Sequence, residues 1–201
     1  MKIEGQAALV TGGACELARL GAKVAVLDRN AALAEKVAAE IGGVACVCDI
    51  TDTDSVNAAL DKAEAAHGTA RILMNVAGIG SAKRIVGKDG NPAPLEDFVR
   101  VVNINLIGGY NMARLFAARC AKLPALDNGE KGVMLFTASV AAFDGQVGQQ
   151  AYSASKGGVV GMTLPIARDL ARSGIRNMTI APGIFGTPML FGMPQDVQDA
   201  L

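Results

Sequence analysis

The chain has 201 residues, about half of them apolar, and its 19 basic and 19 acidic side chains cancel. That length supports one domain, residues 1–201, with a core of its own, and the neutral balance without Lys or Arg runs argues against nucleic acid as a partner. No apolar stretch is long enough to span a bilayer, and Met1–Gly5 carries no apolar signal region, so no membrane partner and a cytoplasmic location are expected.

In chain order, short β-branched runs alternate with helical patterns. Strands are predicted near Ala7–Val10, Lys23–Leu27, Val44–Cys48, Ile72–Asn75, Val133–Thr137 and Asn177–Ala181. Helices are predicted over Ala31–Ile41 (Asn30 as N-cap, Gly42 after it), Thr53–His67, a long segment from about Leu95 to Cys120, and Ala151–Arg172. Pro165 should remove one hydrogen bond, to Gly161, and kink the last helix. This alternation predicts an α/β fold: a Rossmann-like doubly wound parallel sheet with helices on both faces. Ligands then bind beyond the carboxyl ends of the strands, where the strand order reverses.

The stretch TGGACELARL (Thr11–Leu20) follows the first strand as a phosphate-binding loop would, with Gly12 and Gly13 in place. The next positions hold Cys15, Glu16, Leu17 and Ala18 where such a loop supplies further glycines. Only Thr11 to Ala22 join the first two strands, close to the minimum of about a dozen residues for a parallel crossover. A helix over Cys15–Leu20 would extend only about 9 Å. Glu16 brings a carboxylate to its N-terminus, where it would satisfy the helix and repel an anionic ligand.

Asp28 ends the second strand. A carboxylate there accepts hydrogen bonds from both hydroxyls of an adenosine ribose and repels a 2′-phosphate, which favours NAD over NADP. The plainer alternative is a turn residue before Asn30, and Arg29 could accommodate that phosphate. Asp49-Ile50 could border an adenine pocket or simply form a turn. In Asn75-Val76-Ala77-Gly78, small residues let backbone approach a ligand. Cys46 and Cys48 share one strand face and read as core thiols rather than a metal or redox pair. His67, the only histidine, reads as an exposed helix-end residue; multi-histidine metal sites are excluded.

Ser139 follows the fifth strand, and the next helix carries Tyr152 and Lys156, four apart on one face. An ammonium beside a phenol favours the phenolate, so Tyr152 is a candidate general acid and base. An amphipathic surface pair is the plain alternative for those two residues alone. Together with Ser139, Asp28, the Asn75 turn and Pro182-Gly183, that alternative loses ground.

These marks, with Thr11-Gly12 and Asn105 in NINLIGG, resemble the short-chain dehydrogenase/reductase family over essentially the whole chain. The stretch from TASVAAFDGQVGQQAYSASK to RDLARSGIR, continued by APGIFGTPML, is similar to its type-2 3-hydroxyacyl-CoA dehydrogenases, also called type-10 17β-hydroxysteroid dehydrogenases. The resemblance implies NAD-linked interconversion of a secondary alcohol and a ketone, on a small-molecule 3-hydroxyacyl-CoA or steroid-like substrate, in a homotetramer. It implies that Tyr152 moves the hydroxyl proton, Ser139 holds the substrate oxygen, Lys156 holds the nicotinamide ribose, and Asn105 anchors a water relay to Lys156. Gly12, Leu17, Asp28, Asp49, Ile50, Val76, Ala77, Gly78, Ile184, Phe185 and Thr187 would contact the cofactor. Against the family pattern, the first crossover is short and a last sheet strand is missing, which would leave Met178–Ala181 as an apolar edge. The competing expectation is a catalytically inactive, truncated variant that keeps the sheet as a binding or interaction module. A hydrolase using Ser139 and His67 is a third and distant alternative.

Overall fold

The structure, a computed structural model, describes residues 1–12, 15–80, 82–186, 191 and 195. Its sheet has six strands: β1 (Ala7–Thr11), β2 (Lys23–Asp28), β3 (Val44–Val47), β4 (Ile72–Asn75), β5 (Gly132–Thr137) and β6 (Ile175–Ile180). All pair in parallel, in the order β3-β2-β1-β4-β5-β6. The order reverses between β1 and β4, where Thr11 stands beside Asn75. This is the doubly wound arrangement that opens a crevice at the reversal.

Alternating residues explain why both faces are covered. Ala7, Leu9, Ala25 and Leu27 enter one core, while Ala8, Val10, Val24 and Val26 enter the other. Strands buried on both sides read as unbroken apolar runs, as β1 and β2 do. The first core packs helices α3 (Thr53–His67), α5 (Gly109–Cys120) and α6 (Gln150–Leu170) through residues such as Val56, Phe116 and Val159. The second takes Ala34 and Ala38 of α2 (Ala31–Ile41) and Leu17 of α1 (Cys15–Arg19).

The caps follow from side-chain chemistry. Asn30 accepts from the Leu33 amide at the start of α2, and Asp52 accepts from the Asp54 and Ser55 amides at the start of α3. The α6 helix continues through Pro165 and ends in a 3₁₀ turn over Ala171–Ser173. Among the described residues, the only helix between β1 and β2 is α1, five residues or about 7.5 Å long.

Three expectations need correction. The segment from Leu95 to Cys120 is not one regular helix. It divides into α4 (Leu95–Val102), a π-helical stretch over Asn103–Gly108, and α5. A π segment widens the turn locally and cannot be read from hydrophobic spacing. His67 is half-buried rather than exposed, and its Nε2 has no hydrogen-bond partner. The chain turns at Gly68 and is buried again by Ala70, which folds the last turn of α3 toward the sheet. Finally, β6 begins at Ile175, two residues before the expected start, and ends before Ala181.

Among the described residues β6 pairs on one side only, with β5. Met178 and Ile180 are 43% and 48% exposed on it, in keeping with the expected apolar edge. Asn177 points inward and donates to the Thr163 carbonyl at 2.9 Å, which ties the edge strand to α6. No helix among the described residues is long and apolar enough to cross a membrane.

Candidate active site

A cleft of about 700 Å³ lies over the strand ends at the reversal point. Its walls include Gly12, Asp28, Asp49, Ile50, Val76, Ala77 and Gly78, seven of the residues expected to contact the cofactor. Thr11 builds the floor. Its buried hydroxyl accepts from the Val76 and Ala77 amides, each at 3.1 Å, and so joins the end of β1 to the loop after β4. Gly12 has φ +83, and a Cβ there would lie 3.2 Å from the Ala77 backbone, so only glycine lets these loops meet.

Carboxylates define the β2–β3 end. One Asp28 oxygen accepts from the Asn30 amide at 2.8 Å, so the turn role is real, yet the residue also lines the cleft. Asp49 is tied down by Thr51, whose hydroxyl and amide both donate to it and hold its carboxyl below the usual range. Leu17 is half-buried, and its side chain packs against the core beside α2. Glu16 also differs from expectation. Both its oxygens are taken by Arg19, at 2.6 and 2.8 Å, and those hydrogen bonds hold its carboxyl below the usual range. An i,i+3 pair forms because the two side chains share one face of α1, so the charge is balanced locally.

The second group of residues surrounds α6. Lys156 is 5% exposed, and its Nζ donates to the Thr137 carbonyl at 2.6 Å, tying α6 to the end of β5 two residues before Ser139. Burial pushes its pKa down to about 8. The ammonium lies 5.7 Å from the centre of the Tyr152 ring. Ser139 caps a 3₁₀ turn over Val140–Ala142, which packs against α6. Its Oγ accepts from the Ala141 amide at 3.2 Å, which leaves the hydroxyl proton free to donate.

Asn105 sits inside the π stretch and is buried. Its Nδ2 donates to the Ile79 carbonyl (2.9 Å) and to Ser155 Oγ (3.1 Å), while its Oδ1 accepts from the Ile79 amide (2.8 Å). Ser155 Oγ in turn donates to the Tyr152 carbonyl at 2.7 Å. Both amide protons are therefore used, and only an Oδ1 lone pair is left for a water. A Cβ on Gly78 would lie 3.1 Å from Asn105 Oδ1 and 3.6 Å from Lys156 Nζ, so that glycine keeps the space between them open.

The segment after β6 approaches the same region: Val140 donates its amide to the Pro182 carbonyl at 3.0 Å. Ile184 and Phe185 follow and are exposed, and Thr187 lies outside the described residues. A separate hollow of about 510 Å³ is lined by Arg84, Ile85, Ala141, Phe143, Val147 and Ser153, next to Ser139 and Tyr152 in sequence. Thr137, Ile79 and Ser155 escaped sequence reasoning as site-building residues, and Thr11 was read only as part of the Thr11-Gly12 mark. Thr137 and Ile79 act through backbone groups, which leave no mark in residue type, and the hydroxyl partners of Thr11 and Ser155 are set by folding. Cys46 and Cys48 are buried in the core as expected. Burial pushes the Cys48 thiol up to about 12 and that of Cys120, in the same core, up to about 11.

The short chain dehydrogenase family model matches residues 6–198. The chain is 47% identical to the bovine (Bos taurus) 3-hydroxyacyl-CoA dehydrogenase type-2, covering 99% of this chain and 80% of the bovine protein. With the human (Homo sapiens) protein of the same name the identity is 46%, over 97% of this chain and 79% of that protein. Among solved structures, a 3-hydroxyacyl-CoA dehydrogenase type-2 from Mycobacterium avium superposes with a TM-score of 0.87 at 39% identity, covering 94% of this chain and 79% of that one. A 3-ketoacyl-(acyl-carrier-protein) reductase from Brucella melitensis, complexed with NADH, gives a TM-score of 0.85 at 34% identity, covering 96% and 81%. On its sequence, its sheet order and these matches, the chain belongs to the short-chain dehydrogenase family.

Proposed function

We propose that this protein is an NAD-dependent oxidoreductase that interconverts a secondary alcohol and a ketone, with a 3-hydroxyacyl-CoA or steroid-like substrate. The observation that carries this reading is the buried Lys156 ammonium, bonded to the end of β5 two residues before Ser139 and 5.7 Å from the centre of the Tyr152 ring. The names of the bovine and human relatives support the substrate class.

The residues present suit a nicotinamide dinucleotide. The cleft volume falls within the usual ligand range of about 300–1,000 Å³, and Gly12 and Gly78 leave open cradles that a Cβ would fill. Asp28 favours NAD over NADP, because its carboxylate accepts ribose hydroxyls and repels a 2′-phosphate. The bound nicotinamide would supply hydride acceptance and donation. The chain does the rest. Tyr152 exchanges a proton with the substrate oxygen as general acid or base. Ser139 donates its free hydroxyl proton to that oxygen and stabilises the charge developing there. Lys156 spends one proton on Thr137 and keeps two to hold ribose hydroxyls and favour the phenolate. Asn105 fixes the Gly78-Ile79 loop and offers its remaining lone pair to a water. Ile184, Phe185 and Thr187 are proposed to cover the nicotinamide, and Leu17 to border the cofactor from α1.

The reading extends to a cytoplasmic location and to the homotetramer that the family resemblance implies. The apolar surface on the α4–α5 rod, where Leu95 is 69% exposed and Phe98, Val99, Ile107 and Tyr110 are exposed nearby, supports self-association. The decisive test follows NADH absorbance with a 3-hydroxyacyl-CoA and with a secondary steroid alcohol. Turnover of either supports the assignment. NADH binding without turnover of any secondary alcohol favours a binding module instead.

A further inference from the structure

Arg100 is a cation in the cofactor cleft that the mechanism above does not use. It lines the wall with Asn103 and Ile104, at i, i+3 and i+4 on one face of the helical rod. Among the described residues its side chain makes no ion pair or hydrogen bond. Compensation of a helix dipole does not account for it. Its C-terminal position in α4 is not a free helix end, since the rod continues through the π stretch into α5.

Charge balance along the cleft gives this arginine a task. At the β2–β3 end, Arg29 acts on Asp49 and stands next to Asp28. At the crossover, Glu16 and Arg19 neutralise each other, and α1 is only five residues long. A dinucleotide with its adenosine ribose at Asp28 must carry its anionic bridge past Gly12 toward the Gly78-Ile79 loop. Arg100 and Ile79 both line this cleft. A guanidinium there matches phosphate oxygens in both charge and geometry.

We propose that Arg100 is the counter-charge for the diphosphate of the dinucleotide, supplying from α4 what the shortened α1 does not. The inference rests on the proposed cofactor and identifies the residue that compensates for the short loop.

The test titrates the full chain and its Arg100→Ala, Arg100→Lys and Arg100→Glu variants with NADH, ADP-ribose and adenosine, with thermal melts as a control for folding. Arg100→Ala should weaken NADH and ADP-ribose alike, by about tenfold, and leave adenosine unchanged. Arg100→Glu should be weaker still and Arg100→Lys intermediate. Rising salt should weaken the unmodified chain more than Arg100→Ala, because screening acts on the charge that has been removed. Unchanged NADH affinity in Arg100→Ala overturns the role of Arg100 while leaving the cofactor in place. Equal weakening of adenosine also overturns it, by showing a disturbed pocket. Failure of the unmodified chain to bind either NADH or ADP-ribose overturns the cofactor assignment and this inference with it.

Discussion

The surroundings of α6 and the crossover between β1 and β2 are held in different ways. Around α6, two buried polar groups are fixed by partners distant in sequence: Lys156 by Thr137, Asn105 by Ile79 and Ser155. At the crossover, the exposed Glu16–Arg19 pair is three residues apart and spans one turn of a five-residue helix. Interlocked buried bonds resist displacement, because breaking one leaves an unsatisfied group in a dry environment. A local surface pair gives little stability and can be lost without disturbing its surroundings. The surroundings of α6 are therefore rigid by construction, while the crossover is open to variation.

Substitutions in each region should test this difference. The largest effect is expected from Tyr152→Phe, which removes the proton donor and keeps the ring. Turnover should fall by about 10²–10⁴-fold while NADH affinity stays within a few-fold, as read by steady-state rates and fluorescence titration. A retained rate would take Tyr152 out of the mechanism.

Lys156→Met comes next and should trade activity for stability. The folded pKa of about 8 lies below the ordinary 10.5, so the folded state binds fewer protons between those values. The buried ammonium thus costs stability in full below about pH 8, and the cost disappears as pH rises toward 10.5. At pH 7 the relief of that charge cost is worth up to about 3 kcal/mol, offset in part by the Thr137 carbonyl left unpaired, and the Tm of the variant relative to the unmodified chain should fall as pH rises from 8 to 10. A gap independent of pH would mean that the cost comes from packing rather than charge.

Away from α6 the effects are smaller. Asp28→Ala should narrow the preference for NADH over NADPH by about tenfold, measured as a ratio of dissociation constants. Equal affinities in the unmodified chain would remove Asp28 as the selecting group. Glu16→Gly should change NADH affinity least, by no more than about threefold, because Arg19 already balances the carboxylate. A large gain would show that Glu16 competes for the anion site despite its partner, and would make the crossover the dominant control on affinity.

The residues legible in advance were those whose chemistry is local. Alternating apolar runs set six strands and their buried faces, Asn30 and Gly42 marked the ends of α2, and the four-residue spacing put Tyr152 and Lys156 on one face. Asp28 and Ser139 were found because each directly follows or ends a strand, which is where a parallel sheet presents its ligands. Tertiary structure alone decided the rest. It decided that Thr11 clamps two loops, that Asn105 has no amide proton to spare, that Leu17 packs against the core beside α2, and that Arg100 faces the cleft without a partner among the described residues. The physical reason is common to all four. Periodicity and residue type report how a segment buries its own apolar face, whereas the use of a hydrogen bond or a charge depends on which group folding brings opposite it.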